Sequence, residues 1–194
     1  TENYRAATHN PTDGFADPNL AAQGYAEPAR GLGVEIRPKT SVTAVHRSSG
    51  RIVGVDVVNN GTTERIDVDY VVNATGAWAT KIGEMAGASL PISPRRRQIA
   101  VVQPSTQVPE SVPLTIDMET GSYFRPERDG AALVGGHFAG DDHAVDPDGY
   151  DQDMEMAWAA EAVERAADCA RYFGPETRIK RGWAGLYAVT PDHH

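Results

Sequence analysis

A single cysteine, Cys169, stands in 194 residues, which excludes an internal disulfide and any metal site built from several thiolates. It is expected to serve as a small buried hydrophobe. No apolar run approaches the roughly 20 residues a membrane span requires, and the opening Thr-Glu-Asn-Tyr-Arg lacks the basic and apolar regions of a signal peptide. The expectation is a cytoplasmic protein without a membrane span. Positive charge is scarce: 18 lysines and arginines face 27 aspartates and glutamates, a net charge of -9. Phosphate backbones and anionic lipid surfaces would be repelled, so nucleic acid is not expected as a partner. Lysine is rarest, confined to Lys39, Lys81 and Lys180, and with so many aspartates the balance is like the surfaces of salt-adapted proteins. What is present in quantity is apolar: 40% of the residues are hydrophobic, enough to build a core as one large domain or two small ones.

The chain is organised around residues 66–78, Ile-Asp-Val-Asp-Tyr-Val-Val-Asn-Ala-Thr-Gly-Ala-Trp. Val68, Tyr70 and Val72 alternate with Asp67, Asp69 and Val71, which predicts a strand that starts half-buried and becomes apolar on both faces, as a central strand does. Ala74, Thr75, Gly76 and Ala77 follow. So few side-chain atoms let a backbone turn approach a flat ring or a pyrophosphate, although a strand-to-helix turn needing small residues would read the same way.

In chain order, residues 1–16 read as a connection. Asp17 caps a helix with Pro18 in its first position and Leu20, Ala21, Tyr25, Ala29 and Leu32 as its stripe, and Pro28 predicts a kink or an early end. Strands are expected at 34–36, 41–46, 52–58 and 62–66, joined by Ser48-Ser-Gly50 and Asn59-Asn-Gly61, whose residues tolerate the positive φ of tight hairpins. A helix follows at about 77–86. From Leu90 prolines punctuate short extended runs, with strands expected at 98–103, 122–126 and 131–137, the last two paired. The aspartate-rich stretch 140–153 lacks the spacing of a calcium loop and reads as a solvated acidic loop. The longest helix is expected to open at Asp151 or Asp153, reach Tyr172 and end at Gly174-Pro175, before a last strand at 178–189. The closing His193-His194 reads equally as native sequence or a purification tag.

Asp17-Pro-Asn-Leu20 with Tyr25 and Gly33-Val-Glu-Ile36, Thr40-Ser-Val42, Val71-Val-Asn-Ala-Thr-Gly-Ala-Trp78, Tyr123-Phe-Arg-Pro126, Val134-Gly-Gly-His137 and Gly185-Leu-Tyr-Ala-Val-Thr-Pro-Asp192 occur in one order and spacing. That pattern resembles the FAD-dependent amine oxidoreductases, which include sarcosine oxidase, glycine oxidase and dimethylglycine dehydrogenase in the D-amino-acid oxidase superfamily. The resemblance implies an α+β fold: a partial FAD-domain α/β layer over 1–89, and over 90–194 a mostly antiparallel substrate-domain sheet with a long covering helix. It also implies a central fragment of a longer flavoenzyme. The Gly-x-Gly-x-x-Gly turn that holds the FAD pyrophosphate in this family does not occur here, and the family continues past Thr-Pro-Asp with a further segment that closes over the flavin.

Position by position, the resemblance implies that Val42 meets the adenine, that Ala74, Thr75 and Gly76 form the close-approach turn, and that Gly185 and Leu186 lie beside the flavin. Trp78 either packs nearby or is a core tryptophan. Tyr123, His137 and Tyr187 match the lining of the substrate cavity; without the resemblance they read as strand aromatics and a strand-end histidine. Gly185 stands where monomeric sarcosine oxidases carry the cysteine bonded to flavin, and Leu133 where some have a cavity lysine. Arg95, Arg96 and Arg97 read as anion binders or, more readily, as a solvated face. The resemblance also implies that Tyr187 stands where glycine and D-amino-acid oxidases place an arginine that holds the substrate carboxylate, which leaves that capture to basic residues outside this chain.

The function so implied is oxidation of the C–N bond of a small amino acid, N-methylated or otherwise substituted, with FAD as cofactor, a small-molecule amine or amino acid as partner and the electron acceptor open. FAD is not expected to stay on this fragment, which alone should be inactive. A D-amino-acid dehydrogenase is the nearest alternative, and a non-catalytic binding or scaffold module with the same fold comes from a different class.

Overall fold

Two tight turns organise the first sheet. Ser49 and Gly50 have φ of 49° and 79°, and Asn60 and Gly61 have φ of 48° and 79°. Positive φ at both central residues matches the right-handed twist of the strands they join. In the computed structural model, which describes residues 4–138, 140 and 142–192, these turns connect β1 (Thr40–Ser48), β2 (Arg51–Asn59) and β3 (Thr62–Ile66) in an antiparallel meander. The chain divides into two compact units, one of Ala16–Ser93 with the residues from Ala188 onward, the other of the residues up to Phe15 with Pro94–Tyr187. Thr1, Glu2, Asn3, Asp141 of the acidic stretch and the terminal histidines lie outside the described residues.

In the first unit Val45, Val55 and Val57 are buried, with Val42, Ile52, Ile66, Val68 and Ala86 against them. Asp17 caps α1 (Pro18–Gly31) as expected: its Oδ1 accepts from the N–H groups of Asn19 and Leu20 at 2.9 and 3.1 Å. Of the kink or early end expected at Pro28, the early end does not occur: the helix continues through Pro28 and stops at Leu32 and Gly33, whose φ is 90°.

Two expected strands do not form. Residues 34–36 and 70–73 have no ladder partner among the described residues. A strand exists only through its hydrogen-bonded neighbour, and without one the apolar faces stay open: Tyr70 is 84% and Val72 89% exposed. The helix expected at 77–86 begins as a tighter 3₁₀ turn, Gly76–Trp78, before α2 (Ala79–Met85). Asn73 closes that turn, donating from Nδ2 to the Ala79 carbonyl at 2.9 Å and accepting at Oδ1 from the Thr75 hydroxyl at 2.7 Å.

The second unit holds β4 (Ser93–Gln103), β5 (Thr115–Ile116), β6 (Ser122–Pro126), β7 (Ala132–Gly136), α3 (Met156–Cys169) and β8 (Arg178–Val189). The sheet order is β5-β6-β7-β4-β8, and the β5–β6, β6–β7 and β7–β4 pairs are antiparallel. One face packs against α3. Ala100, Val102, Phe124, Ala132 and Val134 meet Trp158, Ala159, Ala162 and Ala166 there, and the row of alanines lets helix and sheet approach closely.

The helix is shorter at both ends than expected. At its start, the buried Gln98 accepts the Glu155 N–H at Oε1, 2.8 Å away, so residues 151–153 remain in the loop. At its end, Ala170 turns extended, with φ -145° and ψ 131°, and Phe173 enters the core against Phe124 with ring centroids 5.1 Å apart. Cys169 is only half-buried. The three arginines are likewise not a solvated face. Arg96 Nη1 pairs with Glu155 at 2.7 Å and its Nε donates to the Asp151 carbonyl at 2.7 Å, while Arg97 Nη2 pairs with Asp142 at 2.8 Å. The acidic stretch after β7 runs along the start of β4, where Val145 N–H donates to the Pro94 carbonyl and Arg95 bridges Ala144.

Candidate active site

Strand alternation decides which side chains leave the helix-covered face. Tyr123 pairs with Gly135 across β6 and β7, and Gly135 pairs with Ile99 across β7 and β4. Their neighbours Phe124, Val134 and Ala100 point into the α3 core, so the row Tyr123–Gly135–Ile99 belongs to the opposite face. Two residues from Gly135 along the chain lies His137, and two from Ile99 lies Arg97. Both extend that face.

Gly135 makes room for Tyr123. A Cβ at position 135 would overlap the hydroxyl end of the Tyr123 ring, at Cζ, Oη and Cε2, so the phenol end lies against the glycine backbone. A Cβ on Gly136 would likewise meet the ring of Phe138. The Val134-Gly-Gly-His137 sequence is therefore a bed for two aromatic rings, one on each face of the sheet.

Tyr187, on β8, completes the cluster. Its ring meets that of His137 edge to face at 5.5 Å between centroids, and the Arg97 guanidinium lies 5.8 Å from its centroid, within cation–π range. Burial raises the Tyr123 phenol well above the ordinary range, reinforced by the nearby Tyr187 hydroxyl, with which it shares a hydrogen bond; Tyr123 therefore stays a neutral donor. Burial also lowers the His137 pKa, and the Arg97 charge lowers it further. Asp142, paired with Arg97, acts on His137 in the opposite sense and more weakly, so the arrangement is a neutral imidazole and two phenols beside an ion pair.

All three expected cavity residues thus come together. Arg97 was missed as a member of the cluster, because nothing in a run of three arginines says which one a strand will turn toward Tyr187. Leu133, on the same face two residues before Gly135, is buried. Gly185 and Leu186 belong to this unit too, both half-buried, and no atom lies within 4 Å of where a Gly185 Cβ would stand. Val42, half-buried on β1, and the exposed Ala74, Thr75 and Gly76 belong to the other unit. Gly76 has φ 55° and open space at its Cβ position, and Trp78 is 39% exposed rather than in a core. The turn therefore presents bare backbone that this chain's own side chains do not cover, as the approach of a flat cofactor requires. Among the described residues no group of His, Cys, Asp and Glu could hold a metal ion, and no helix is long and apolar enough to cross a membrane.

The sequence pattern of the family described as FAD dependent oxidoreductase matches residues 1–194. Hydrogen cyanide synthase subunit HcnC of Pseudomonas aeruginosa is 31% identical over 93% of this chain and 40% of its own length. Human mitochondrial dimethylglycine dehydrogenase is 30% identical over 64% of this chain and 14% of its own. Among solved structures, L-proline dehydrogenase from P. horikoshii superposes with a TM-score of 0.76 at 30% identity, over 94% of this chain and 46% of that one. The chain spans less than half the length of these relatives.

Proposed function

This chain belongs to the FAD-dependent oxidoreductase family, and from that membership we propose that it is the central piece of an enzyme oxidising the C–N bond of a small N-substituted amino acid, an N-methylated glycine above all. The observation that carries the reading is the convergence of Tyr123, His137 and Tyr187 on the sheet face away from α3. The relatives named as dimethylglycine dehydrogenase and L-proline dehydrogenase support it, since both names specify amino acids with a substituted nitrogen.

The chemistry supplied by bound FAD is acceptance of a hydride equivalent from the carbon next to nitrogen, leaving an imine for water to hydrolyse. Ala74, Thr75 and Gly76 would admit the cofactor by close backbone approach, Val42 would meet the adenine, and Gly185 with Leu186 would lie beside the isoalloxazine. Gly185 cannot form the covalent thioether of a cysteine, so the cofactor would be held without that bond. The substrate's methyl groups would pack on the Tyr123 and Tyr187 rings, and a protonated amine would gain cation–π attraction of about 0.5–2 kcal/mol there. Neutral His137 can accept a proton as the amine is prepared for oxidation. The residues 1–89 would serve the cofactor and 90–194 the substrate.

Steady-state assays of the longer protein with sarcosine, dimethylglycine, proline, glycine and D-alanine test this. The expected result is a higher kcat/KM for sarcosine or dimethylglycine than for D-alanine. A preference for D-alanine would establish the D-amino-acid dehydrogenase reading instead, and failure to reduce flavin with any of the five would leave a binding module.

A further inference from the structure

We propose that Arg97 is the anchor for the substrate carboxylate and that Asp142 holds its place until substrate arrives; this rests on the amino-acid oxidation reading above. Three observations carry it. Firstly, the Arg97 side chain is only 10% exposed, yet its guanidinium lies against the Tyr187 ring, on the face that carries Tyr123 and His137. The two preceding arginines differ. Arg96 is spent on Glu155 and the loop before α3, and Arg95 gives Nη1 to the Asp142 carbonyl at 2.9 Å.

Secondly, the site already holds a carboxylate. Arg97 Nη2 donates to Asp142 Oδ1 at 2.8 Å, so the geometry needed to receive a carboxylate is present at the cluster. A desolvated guanidinium is costly without a counter-ion. Exchange of one carboxylate for another keeps its charge compensated throughout.

Thirdly, the two partners differ in what leaving costs them. The Asp142 side chain is 50% exposed, and its Oδ1 faces Arg95 Nε at 3.9 Å as well as Arg97 Nη2 at 2.8 Å, so it can give up Arg97 and keep Arg95 and water as partners. Arg97 is the more firmly held partner, with its guanidinium beside the Tyr187 ring and its Nη1 donating to the Arg96 carbonyl at 3.1 Å. Its charge also helps keep His137 unprotonated, so the cluster offers a positive charge to the acid end of a substrate and aromatic surface to the amine end. Carboxylate capture, which the sequence reading leaves to residues outside the chain, falls within it.

The test uses the 194-residue chain and methoxyacetate, which has the outline of sarcosine with a non-oxidisable ether in place of the amine. His137 ring resonances are followed by NMR as methoxyacetate is added. A saturable shift is expected, weakened on the order of tenfold or more by Arg97→Gln, as loss of a charge-assisted bond implies, and strengthened several-fold by Asp142→Asn, which removes the competitor. 2-Methoxyethanol, of the same outline without the charge, should leave His137 unmoved. The proposal is overturned by the absence of a methoxyacetate shift, by an equal shift with 2-methoxyethanol, or by Asp142→Asn weakening binding. The 2-methoxyethanol and Asp142→Asn arms hold even if Arg97→Gln does not fold. Sarcosine oxidation by the longer protein that survives Arg97→Gln at full kcat/KM would sink the anchor while leaving the oxidation reading in place. Methoxyacetate binding through Arg97 in a protein that oxidises no amino acid would do the reverse.

Discussion

The imidazole of His137 stands edge-on to the phenol ring of Tyr187, the centroids 5.5 Å apart and the planes 80° to each other. The two rings come from positions 50 residues apart along the chain, and the contact exists because β7 and β8 flank β4. It ties the end of one strand to the face of another, with Arg97 of β4 between them.

That contact predicts a pH response. Burial and then Arg97 hold the His137 pKa below its ordinary value of 6.5. The unfolded chain therefore takes up this proton first as pH falls, so the folded form loses stability as pH drops from the ordinary value to the lower folded one, and above the ordinary value the group has no effect on stability. An NMR titration of the ring should place its midpoint below 6.5, and Arg97→Gln should move it upward. A midpoint unmoved by that substitution would remove Arg97 from the surroundings of His137.

Acid should act through Asp117 as well. Burial works against its ionised form, but the Thr120 hydroxyl at 2.6 Å, the Glu119 N–H at 3.0 Å and Tyr4 outweigh it and lower the pKa. A carboxyl so lowered stabilises the fold above its unfolded pKa, and that contribution is lost as pH drops through the folded value. Thr120→Val is expected to raise the Asp117 pKa and shift the acid-unfolding midpoint to higher pH, followed by circular dichroism.

Gly135→Ala places a methyl group where the Tyr123 ring lies. Overpacking of this kind costs about 1–3 kcal/mol, read as a lower urea midpoint with unchanged slope. In a Tyr123→Ala background the same substitution should cost much less, because the ring that it displaces is gone. Equal costs in both backgrounds would mean that the glycine serves something other than Tyr123.

The chain by itself is expected to be colourless. It carries the exposed turn at Ala74, Thr75 and Gly76 but no Gly-x-Gly-x-x-Gly turn, and so lacks the backbone N–H groups and helix N-terminus that hold a pyrophosphate. Chain mixed with FAD and passed through gel filtration should elute without flavin absorbance. A retained flavin absorption band would show that the turn and the substrate unit suffice for binding.

Much of the architecture was legible because it is local. The hairpins follow from Ser49-Gly50 and Asn60-Gly61, whose φ requirement is a property of single residues. The capped start of α1 follows from Asp17-Pro18, and β8 spans the residues expected of it. The apolar alternation of 66–72 could not show that a ladder partner would be lacking, and the loss of residues 70–73 as a strand is the consequence.

Which residues share the site was open for the same reason. A strand's period assigns Arg97 and Gln98 to opposite faces but does not say which face meets a helix. Only the packing of α3 on Phe124 and Val134 decided that Gln98 turns inward and Arg97 toward Tyr187. The alternation within each strand was set by the amino-acid order. The pairing of strands across long separations, and with it the company that each side chain keeps, came from burial of apolar surface summed over the whole unit.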